Sequence, residues 1–367
     1  MRKFLACLTM IGLLASGSLA LPSGILPYGV SAKYAAMGGA GASLVDDIAS
    51  AYYNPAGMYR SGGADLKIGA GTASDGSDQL VSMASNLGNP AKFLSDNFSK
   101  SLDINGNVHA IIGLSVGKFG LSVIPAGRLN LSKAANTLNG TISGLGHSDT
   151  ALTFGYGVGI PYLAKAGVGA SVKYIHNALA GAAVTASGAT TTITNTITQY
   201  NGLGFDLGLQ GTLDLIPTAP ISVALVYKDF AANLNGTQQI SSGTFNTLTG
   251  AEITPMATVS DGPIAGTSIP TTLVLGASGQ IPIVGLKLAV DLDTIGGNTP
   301  YSVTHIGLEY PVAMGLVNLR LGKINGSNVD MFTYGAGILK DMVNIAFVSD
   351  NKDSRNNQML ADIHIGF

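Results

Sequence analysis

The stretch "LKLAVDLD", Leu286 to Asp293, alternates strictly between apolar and other side chains. The even-numbered residues are leucine or valine, whereas the odd-numbered ones are Lys287, Ala289, Asp291 and Asp293. Successive side chains of an extended chain point to opposite faces. The stretch therefore predicts a β-strand with one apolar face and one polar or small face.

The same period of two recurs in "VNLRLGK" (317–323), "LGFDLGLQ" (203–210) and "VGASVKY" (168–174). Most of these runs have about the 9–11 residues that a tilted strand needs to cross a bilayer, and bacterial outer-membrane barrels have an even number of strands. Marking every such run predicts fourteen strands, at 63–72, 106–116, 119–129, 150–160, 165–177, 199–212, 221–232, 270–281, 285–294, 301–311, 315–324, 329–339, 342–350 and 358–367.

Composition narrows the class of protein. Mean hydropathy is +0.35, and charged residues make up 11% of the chain, against roughly 25% in typical globular chains. Beyond the first twenty residues no apolar run approaches the length of about 18 that a membrane-spanning helix needs. The fifty glycines disfavour a helical bundle, and a net charge of −2 leaves no basic footprint for nucleic acid.

The predicted connections alternate between long and short along the chain. Long connections at 73–105, 130–149, 178–198 and 233–269 are separated by short ones such as Gly117-Lys118. Short periplasmic turns and longer extracellular loops are typical of transmembrane barrels, with both termini in the periplasm. The sequence predicts an all-β fold, a 14-stranded antiparallel transmembrane β-barrel in the bacterial outer membrane.

The two ends of the chain carry targeting signals. Residues 1–20 combine Arg2 and Lys3, an apolar run and a small-residue cleavage site, which together predict an export signal. Cys7, the only cysteine, lies inside it, so the mature chain has no thiol. The last strand, "MLADIHIGF", alternates and ends on Phe367. This ending resembles the terminal strand that outer-membrane proteins present to the barrel assembly machinery, which we expect as a partner.

Between the signal and the first strand lies "SAKYAAMGGAGASLVDDIASAYYNPAGM", Ser31 to Met58. This stretch resembles the N-terminal hatch of the FadL and toluene-transporter family, which carries an Asn-Pro-Ala motif after a Gly-rich, acid-containing stretch. The matching residues are Asn54, Pro55, Ala56 and Gly57, with Asp46 and Asp47 upstream. The resemblance implies a hatch over 21–62 that plugs a barrel over 63–367, and transport of fatty acids or aromatic hydrocarbons.

Two adjacent acids in a barrel lumen need partners, because buried charges persist only when they are paired. The alternative is that Asp46 and Asp47 are solvated near the periplasmic mouth. Four further residues occupy positions in the alternating pattern that should face the lumen: Asp206, Asp291, His305 and Glu309. His305 and Glu309 share one face of a strand and could form a site, but two side chains that hydrogen-bond water are the simpler interpretation. Candidate partners for the two acids are the cationic residues whose positions in the alternating pattern should also face the lumen: Lys67, Lys173, Lys228, Lys287 and Arg320.

Pro125 falls midway along the third predicted strand, where a closed barrel has no free edge to tolerate a missing N–H. The sequence predicts a bulge or kink there, or else a strand that ends early with Pro125 opening the loop. In the family, a kink in this strand opens a lateral window to the bilayer. The resemblance implies that Pro125, Ala126 and Gly127 form such a window.

No sequence motif indicates an enzyme, a metal site or a cofactor. The five histidines occur singly, and the Gly-rich run 38–43 lacks the Lys-Ser/Thr of a phosphate-binding loop. We expect a monomer in the lipid bilayer that passes hydrophobic small molecules without an energy source and captures them among the loops 73–105 and 233–269. The alternative is a non-transporting barrel that acts as a scaffold or secretion-system partner.

Overall fold

A computed structural model describes residues 28–73, 99–135, 139–160, 163–213, 220–246, 251–282, 284–297 and 300–366. The predicted signal at 1–20, the apolar loop residues of 74–98 and Phe367 lie outside these ranges. Within them, no helix is long and apolar enough to cross a membrane.

The described residues form fifteen antiparallel strands in a single sheet. Strand β1 pairs with both β2 and β15, and β6 pairs with β7, so that the sheet closes on itself with fourteen strands in the wall. The strands are β1 Ala64–Ala73, β2 Leu102–Val116, β3 Phe119–Lys133, β4 Gly140–Ile160, β5 Leu163–Ser187, β6 Thr190–Leu213, β7 Ile221–Asn246, β8 Glu252–Ser268, β9 Thr272–Ile281, β10 Leu286–Ile295, β11 Tyr301–Val312, β12 Val317–Gly326, β13 Asp330–Ile338, β14 Val343–Asp350 and β15 Gln358–Gly366. The prediction of a 14-stranded barrel is confirmed.

The wall is polar inside and apolar outside. On β1, Lys67 is fully buried, whereas its neighbour Ile68 is 52% exposed. On β12, Arg320 is buried between the exposed Leu319 and Leu321. This is the inverse of a water-soluble fold, because the outer face is built to contact lipid chains and the inner face to contact polar groups.

Three of the four long connections were wrongly predicted as loops. Residues 130–149 and 178–198 belong largely to β3, β4, β5 and β6, and residues 233–269 belong largely to β7 and β8. These stretches do not alternate strictly between apolar and polar side chains, so hydropathy did not identify them as strands. Their threonines nevertheless favour extended backbone. The Thr-rich segment around 190–198 is therefore strand, not loop.

Strand β7 changes partners halfway along its length. Residues 221–228 pair with β9, and residues from Asn233 onward pair with β8. Between them the register with β6 shifts twice, and Asp229 and Ala231 adopt positive φ values of 58° and 55°. Beyond these bulges the second half of β7 stays paired with β6 and has β8 instead of β9 as its other neighbour. We call the pair formed by residues 233–246 of β7 and β8 the blade.

Residues 28–62, here called the inner segment, are mostly buried inside the barrel. They contain two one-turn helices, α1 Ala32–Ala35 and α2 Ser50–Tyr53, and a 3-10 helix at Pro55–Arg60. Small residues bring the backbone close to the wall: the Gly38 amide donates to the Thr333 hydroxyl at 2.9 Å. Irregular backbone at membrane depth is tolerated here because protein surrounds it.

Candidate functional site: a cavity between the inner segment and the wall

The Asn-Pro turn is held by hydrogen bonds at Asn54. Its Oδ1 accepts the amide of Ala56 at 3.0 Å, and its Nδ2 donates to the carbonyls of Ala42 at 2.8 Å and Leu209 at 3.3 Å. Pro55 opens the following 3-10 helix, where its missing N–H costs nothing. Asn54 therefore anchors the turn both to the rest of the inner segment and to β6.

Glycines of the wall make room for this turn. A Cβ on Gly208 would lie 2.0 Å from Asn54 Oδ1, and a Cβ on Gly169 would lie 2.2 Å from the Pro55 carbonyl carbon. Neither distance is compatible with an alanine unless the turn moves. The Gly-rich strands β5 and β6 thus form a groove that fits the Asn-Pro turn. Sequence reasoning identified the motif in the inner segment but not its complement in the wall.

Three wall carboxylates hold the backbone of the inner segment. Asp291 accepts the amides of Gly41 and Ala42, both at 2.8 Å. Asp362 accepts the Ala32 amide at 2.7 Å at the start of α1, and Asp65 accepts the Ile48 amide at 3.0 Å. Hydrogen bonds to an ionised acceptor are stronger than neutral ones. Asp291 was predicted as a lumen residue. Asp362 and Asp65 were missed, although both alternate with outward-facing residues along their strands and could have been identified as lumen-facing in the same way.

Asp47 and Asp46 have different environments. Asp47 is buried and forms an ion pair with the fully buried Lys67, one of the five predicted cations. Burial alone would raise the pKa of Asp47, but the ammonium groups of Lys67 and Lys33 outweigh it and lower that pKa below its usual value. Asp46 is exposed. The prediction of a lumen partner is therefore correct for Asp47, whereas Asp46 is solvated.

Two of the other predicted cations, Arg320 and Lys287, pair with Glu309. Arg320 donates to Glu309 at 2.7 Å and also pairs with Asp341, and Lys287 pairs with Glu309 at 2.6 Å. Lys33 of the inner segment joins this network, with its Nζ 3.4 Å from Asp341. Glu309 thus belongs to a buried ionic network near the short turns. His305 instead donates from Nδ1 to the Gly38 carbonyl at 2.7 Å, so His305 and Glu309 do not form one site.

A cavity lies between the inner segment and the wall. Its apolar lining includes Ile124, Val274 and Val303 from the wall, and Tyr52 and Tyr53 from the inner segment. Its titratable lining residues are Asp149, Lys173, Asp206, Lys228, Asp229, Asp291, Asp293 and His305. The cavity brings together five of the predicted lumen residues, Lys173, Asp206, Lys228, Asp291 and His305, but not Lys67, Lys287, Glu309 or Arg320.

A buried ionic cluster forms part of the cavity wall at the bend of β7. The ammonium of Lys173 lies 2.9 Å from Asp206 and also pairs with Asp229, while the Asp229 amide donates to Asp206 at 2.8 Å. The cluster therefore ties the bulge in β7 to β5 and β6. Next to it, the Lys228 ammonium lies 5.0 Å from the centroid of the Tyr52 ring, within cation–π range.

Beside this cavity the ladder between β2 and β3 lacks two residue pairs, and we call this place the gap. Strand β3 continues through Pro125 to Lys133, so the prediction that it ends early is wrong. Its ladder with β4 is continuous there, but its ladder with β2 runs from the pair His109 and Ala126 directly to Ile112 and Val123. Ala126 and Gly127 remain paired on both sides. The gap thus lies between β2 and the residues Ile124 and Pro125.

Two further predictions have structural outcomes. The connection 233–269, expected as a ligand-capturing loop, is mostly the blade. Most of the other expected capture loop, 73–105, lies outside the described residues. In the parts of the chain that the structure describes, no group of three or more His, Cys, Asp or Glu is placed to hold a metal ion.

A closed barrel with an exposed apolar outer face and a lumen filled by its own N-terminal segment defines a bacterial outer-membrane β-barrel protein. No family model and no curated protein matches the sequence. Among solved structures, the fold is similar to the toluene transporter TbuX of Ralstonia pickettii, with a TM-score of 0.60 and 16% identity over 92% of this chain and 97% of that chain. It is also similar to the toluene transporter TodX of P. putida, with a TM-score of 0.62 and 13% identity over 93% of this chain and 99% of that one. The resemblance predicted from the sequence is thus confirmed at the level of the fold.

Proposed function

We propose that the protein is a passive outer-membrane channel for hydrophobic small molecules, in which the inner segment acts as the hatch. The observation that carries this proposal is the position of the cavity next to the gap in the wall. Ile124 lines the cavity and also lies at the interrupted ladder between β2 and β3. The toluene transporters that share the fold support the same class of cargo.

The proposed route enters from the side of the strand extensions, passes through the cavity and leaves sideways into the bilayer. We place the exit at Ile124 and Pro125 on β3, opposite β2, because the expected window residues Ala126 and Gly127 remain paired on both sides. A lateral exit suits an apolar molecule, because the molecule reaches lipid without crossing water, where its surface is hydrated unfavourably. Movement of the inner segment near Ala42 and Tyr52, which line the cavity, controls access to this exit.

Uptake by cells with and without the gene tests the proposal. Radiolabelled toluene and a labelled long-chain fatty acid are supplied at low concentration, and initial rates are compared. We expect faster uptake of at least one of them when the gene is present, and the faster one identifies the cargo class. Equal rates for both compounds in the two strains would contradict the proposed function.

The blade favours a second candidate function, that of a non-transporting scaffold. Almost all of β8 is at least partly exposed, and in the described residues it pairs with β7 alone. A projecting β-structure of this kind can bind another protein. Deleting residues 236–264, which form most of the blade, distinguishes the two functions: a transporter keeps its lateral exit, whereas a scaffold loses its partner.

A further inference from the structure

Two polar side chains stand at the lumen side of the gap without hydrogen-bond partners. His109 is 4% exposed, and neither of its ring nitrogens has a partner within the described residues. Tyr28 is 1% exposed, and its hydroxyl likewise has none. The two rings contact each other, with centroids 5.6 Å apart. Such groups are normally satisfied by protein or water when they are buried, so this pair calls for an explanation.

The strands around the gap provide a place for the imidazole ring. His109 pairs with Ala126 at the last ladder position before the gap. On its other side it pairs with Gly71, where a Cβ would lie 2.2 Å from the imidazole Cε1. Glycine at position 71 thus leaves the space that the ring occupies. Tyr28 packs in the same buried cluster as Ile111, Ile124 and Ala126, the lumen-facing residues of the gap.

This placement conflicts with a route for bare hydrocarbons alone. A bare hydrocarbon passing the gap would leave the three buried polar atoms as unpaired as they are in this structure, whereas a molecule with a hydrogen-bonding group could pair them. A hydroxyl group can both donate and accept, which matches a neutral imidazole and a phenol. No carboxylate is bonded to His109 in the described residues, so nothing there stabilises a charged imidazolium. The cavity next to the gap also presents the rings of Tyr52 and Tyr53, which suit a flat ligand.

We propose that His109 and Tyr28 form a selectivity site at the lateral exit, and that this site prefers a small aromatic molecule carrying a hydroxyl group, a phenol, over the bare hydrocarbon. The inference rests on the proposed function, because it specifies the ligand of the same route. The ring of the ligand packs against the apolar lining, and its hydroxyl donates to one of the two side chains and accepts from the other. A site built to bond a hydroxyl discriminates strongly against the analogue that lacks it.

Binding of fluorinated probes to the purified full chain in detergent tests the site. 4-Fluorophenol, 4-fluorotoluene and 4-fluorobenzoate are titrated separately, and bound probe is followed by fluorine NMR with empty micelles as the blank. We expect the wild-type protein to bind 4-fluorophenol more tightly than the other two. His109→Leu and Tyr28→Phe are each expected to weaken 4-fluorophenol binding about tenfold, corresponding to about 1.4 kcal/mol, and to leave 4-fluorotoluene binding unchanged.

Tyr34→Phe is the matched control. The Tyr34 hydroxyl is also buried without a partner in the described residues, but the Tyr34 ring packs against Tyr53, whereas the Tyr28 ring packs against His109 beside the gap. This variant should bind all three probes as the wild type does. Circular dichroism and heat-modifiable gel mobility show that each variant is folded.

The outcomes separate the two proposals. If the wild type binds none of the three probes, both the proposed function and the selectivity site are contradicted. If 4-fluorotoluene binds as tightly as 4-fluorophenol, the selectivity site is contradicted while the channel stands. The same holds if the benzoate binds most tightly, or if His109→Leu and Tyr28→Phe keep the wild-type preference.

Discussion

At Lys67 the inner segment meets the wall through a fully buried ion pair with Asp47. Removing one partner of such a pair leaves an uncompensated buried charge, which costs about 3–5 kcal/mol. We therefore expect Asp47→Asn to loosen the inner segment strongly. Limited proteolysis of the folded protein in detergent, with fragments assigned by mass spectrometry, measures this as faster cleavage within 28–62.

Two controls accompany this variant. Asp46→Asn removes the neighbouring, exposed carboxylate and should leave the cleavage rate unchanged. The double variant Asp47→Asn/Lys67→Met removes both charges and should recover most of the protection. If Asp47→Asn is cleaved as slowly as the wild type, the ion pair does not hold the inner segment.

Asp341, in the turn between β13 and β14, makes the stability of the folded protein depend on pH. Burial opposes its ionisation, but Lys33 and Arg320 lower the pKa of Asp341 from 3.8 to about 2. A carboxyl group whose pKa is lower in the folded state stabilises that state above pH 3.8, and this contribution is lost as the pH falls toward 2. Thermal unfolding measured between pH 5 and pH 2 should show a smaller acid-induced loss for Asp341→Asn than for the wild type. Equal losses would contradict this role.

Gly169 tests how closely the Asn-Pro turn fits the wall. An alanine there would place Cβ 2.2 Å from the Pro55 carbonyl carbon, so the turn must shift. Overpacking of this kind costs about 1–3 kcal/mol. We expect Gly169→Ala to increase cleavage of the inner segment, whereas Gly159→Ala, with no atom within 4 Å of the new Cβ, should not. Equal protection in the two variants would show that the groove does not seat the turn.

At the scale of strands, the sequence predicts the strand bounds well where contact with lipid requires an apolar outer face. The ends of β9 to β15 match their predicted bounds to within two residues, because one face must be apolar throughout. The extensions of β4 to β7 were not predictable by hydropathy, since stretches such as 190–198 do not alternate strictly between apolar and polar side chains. The sequence predicts a bulge or kink at Pro125, because a proline cannot donate to a ladder, but β3 keeps one register with β2 and with β4 there, and two pairs with β2 are missing instead. That the ladder is broken toward β2 and intact toward β4 required the structure.

Restoring an amide at position 125 tests the exit. Pro125→Val supplies an N–H that can pair with β2, so we expect a higher unfolding temperature and slower uptake of the cargo. Pro311→Val is the matched control, because Pro311 lies at the end of β11 where the ladder with β12 is already complete. Initial uptake rates and thermal unfolding check both variants. Unchanged uptake by Pro125→Val would remove the exit from the route.

At the scale of the molecule, sequence parity identified which charges face the lumen but not which of them meet. Lys67, Lys173, Lys287 and Arg320 all satisfied the same criterion, yet only Lys67 pairs with Asp47. Alternation along a strand fixes the face of a residue but not its position around the barrel or its height relative to the inner segment. The cavity and its position beside the gap depend on both, so neither could be derived from the sequence.

The central claim is that the inner segment closes the lumen and must move for cargo to pass. Ala42→Cys/Gly276→Cys tests it most directly. The Ala42 Cβ lies 3.0 Å from the position that a Cβ on Gly276 would take. A disulfide holds its two Cβ atoms about 3.5–4.5 Å apart, so the backbone needs only a small shift to form one here. The one natural cysteine, Cys7, lies in the predicted signal.

Uptake of the cargo is measured for the oxidised double variant, for the same variant after reduction, and for each single cysteine variant. We predict that oxidation lowers uptake to the rate of cells without the gene, and that reduction restores it. The single variants should transport in both states. Uptake at the wild-type rate by the fully oxidised double variant would contradict the account.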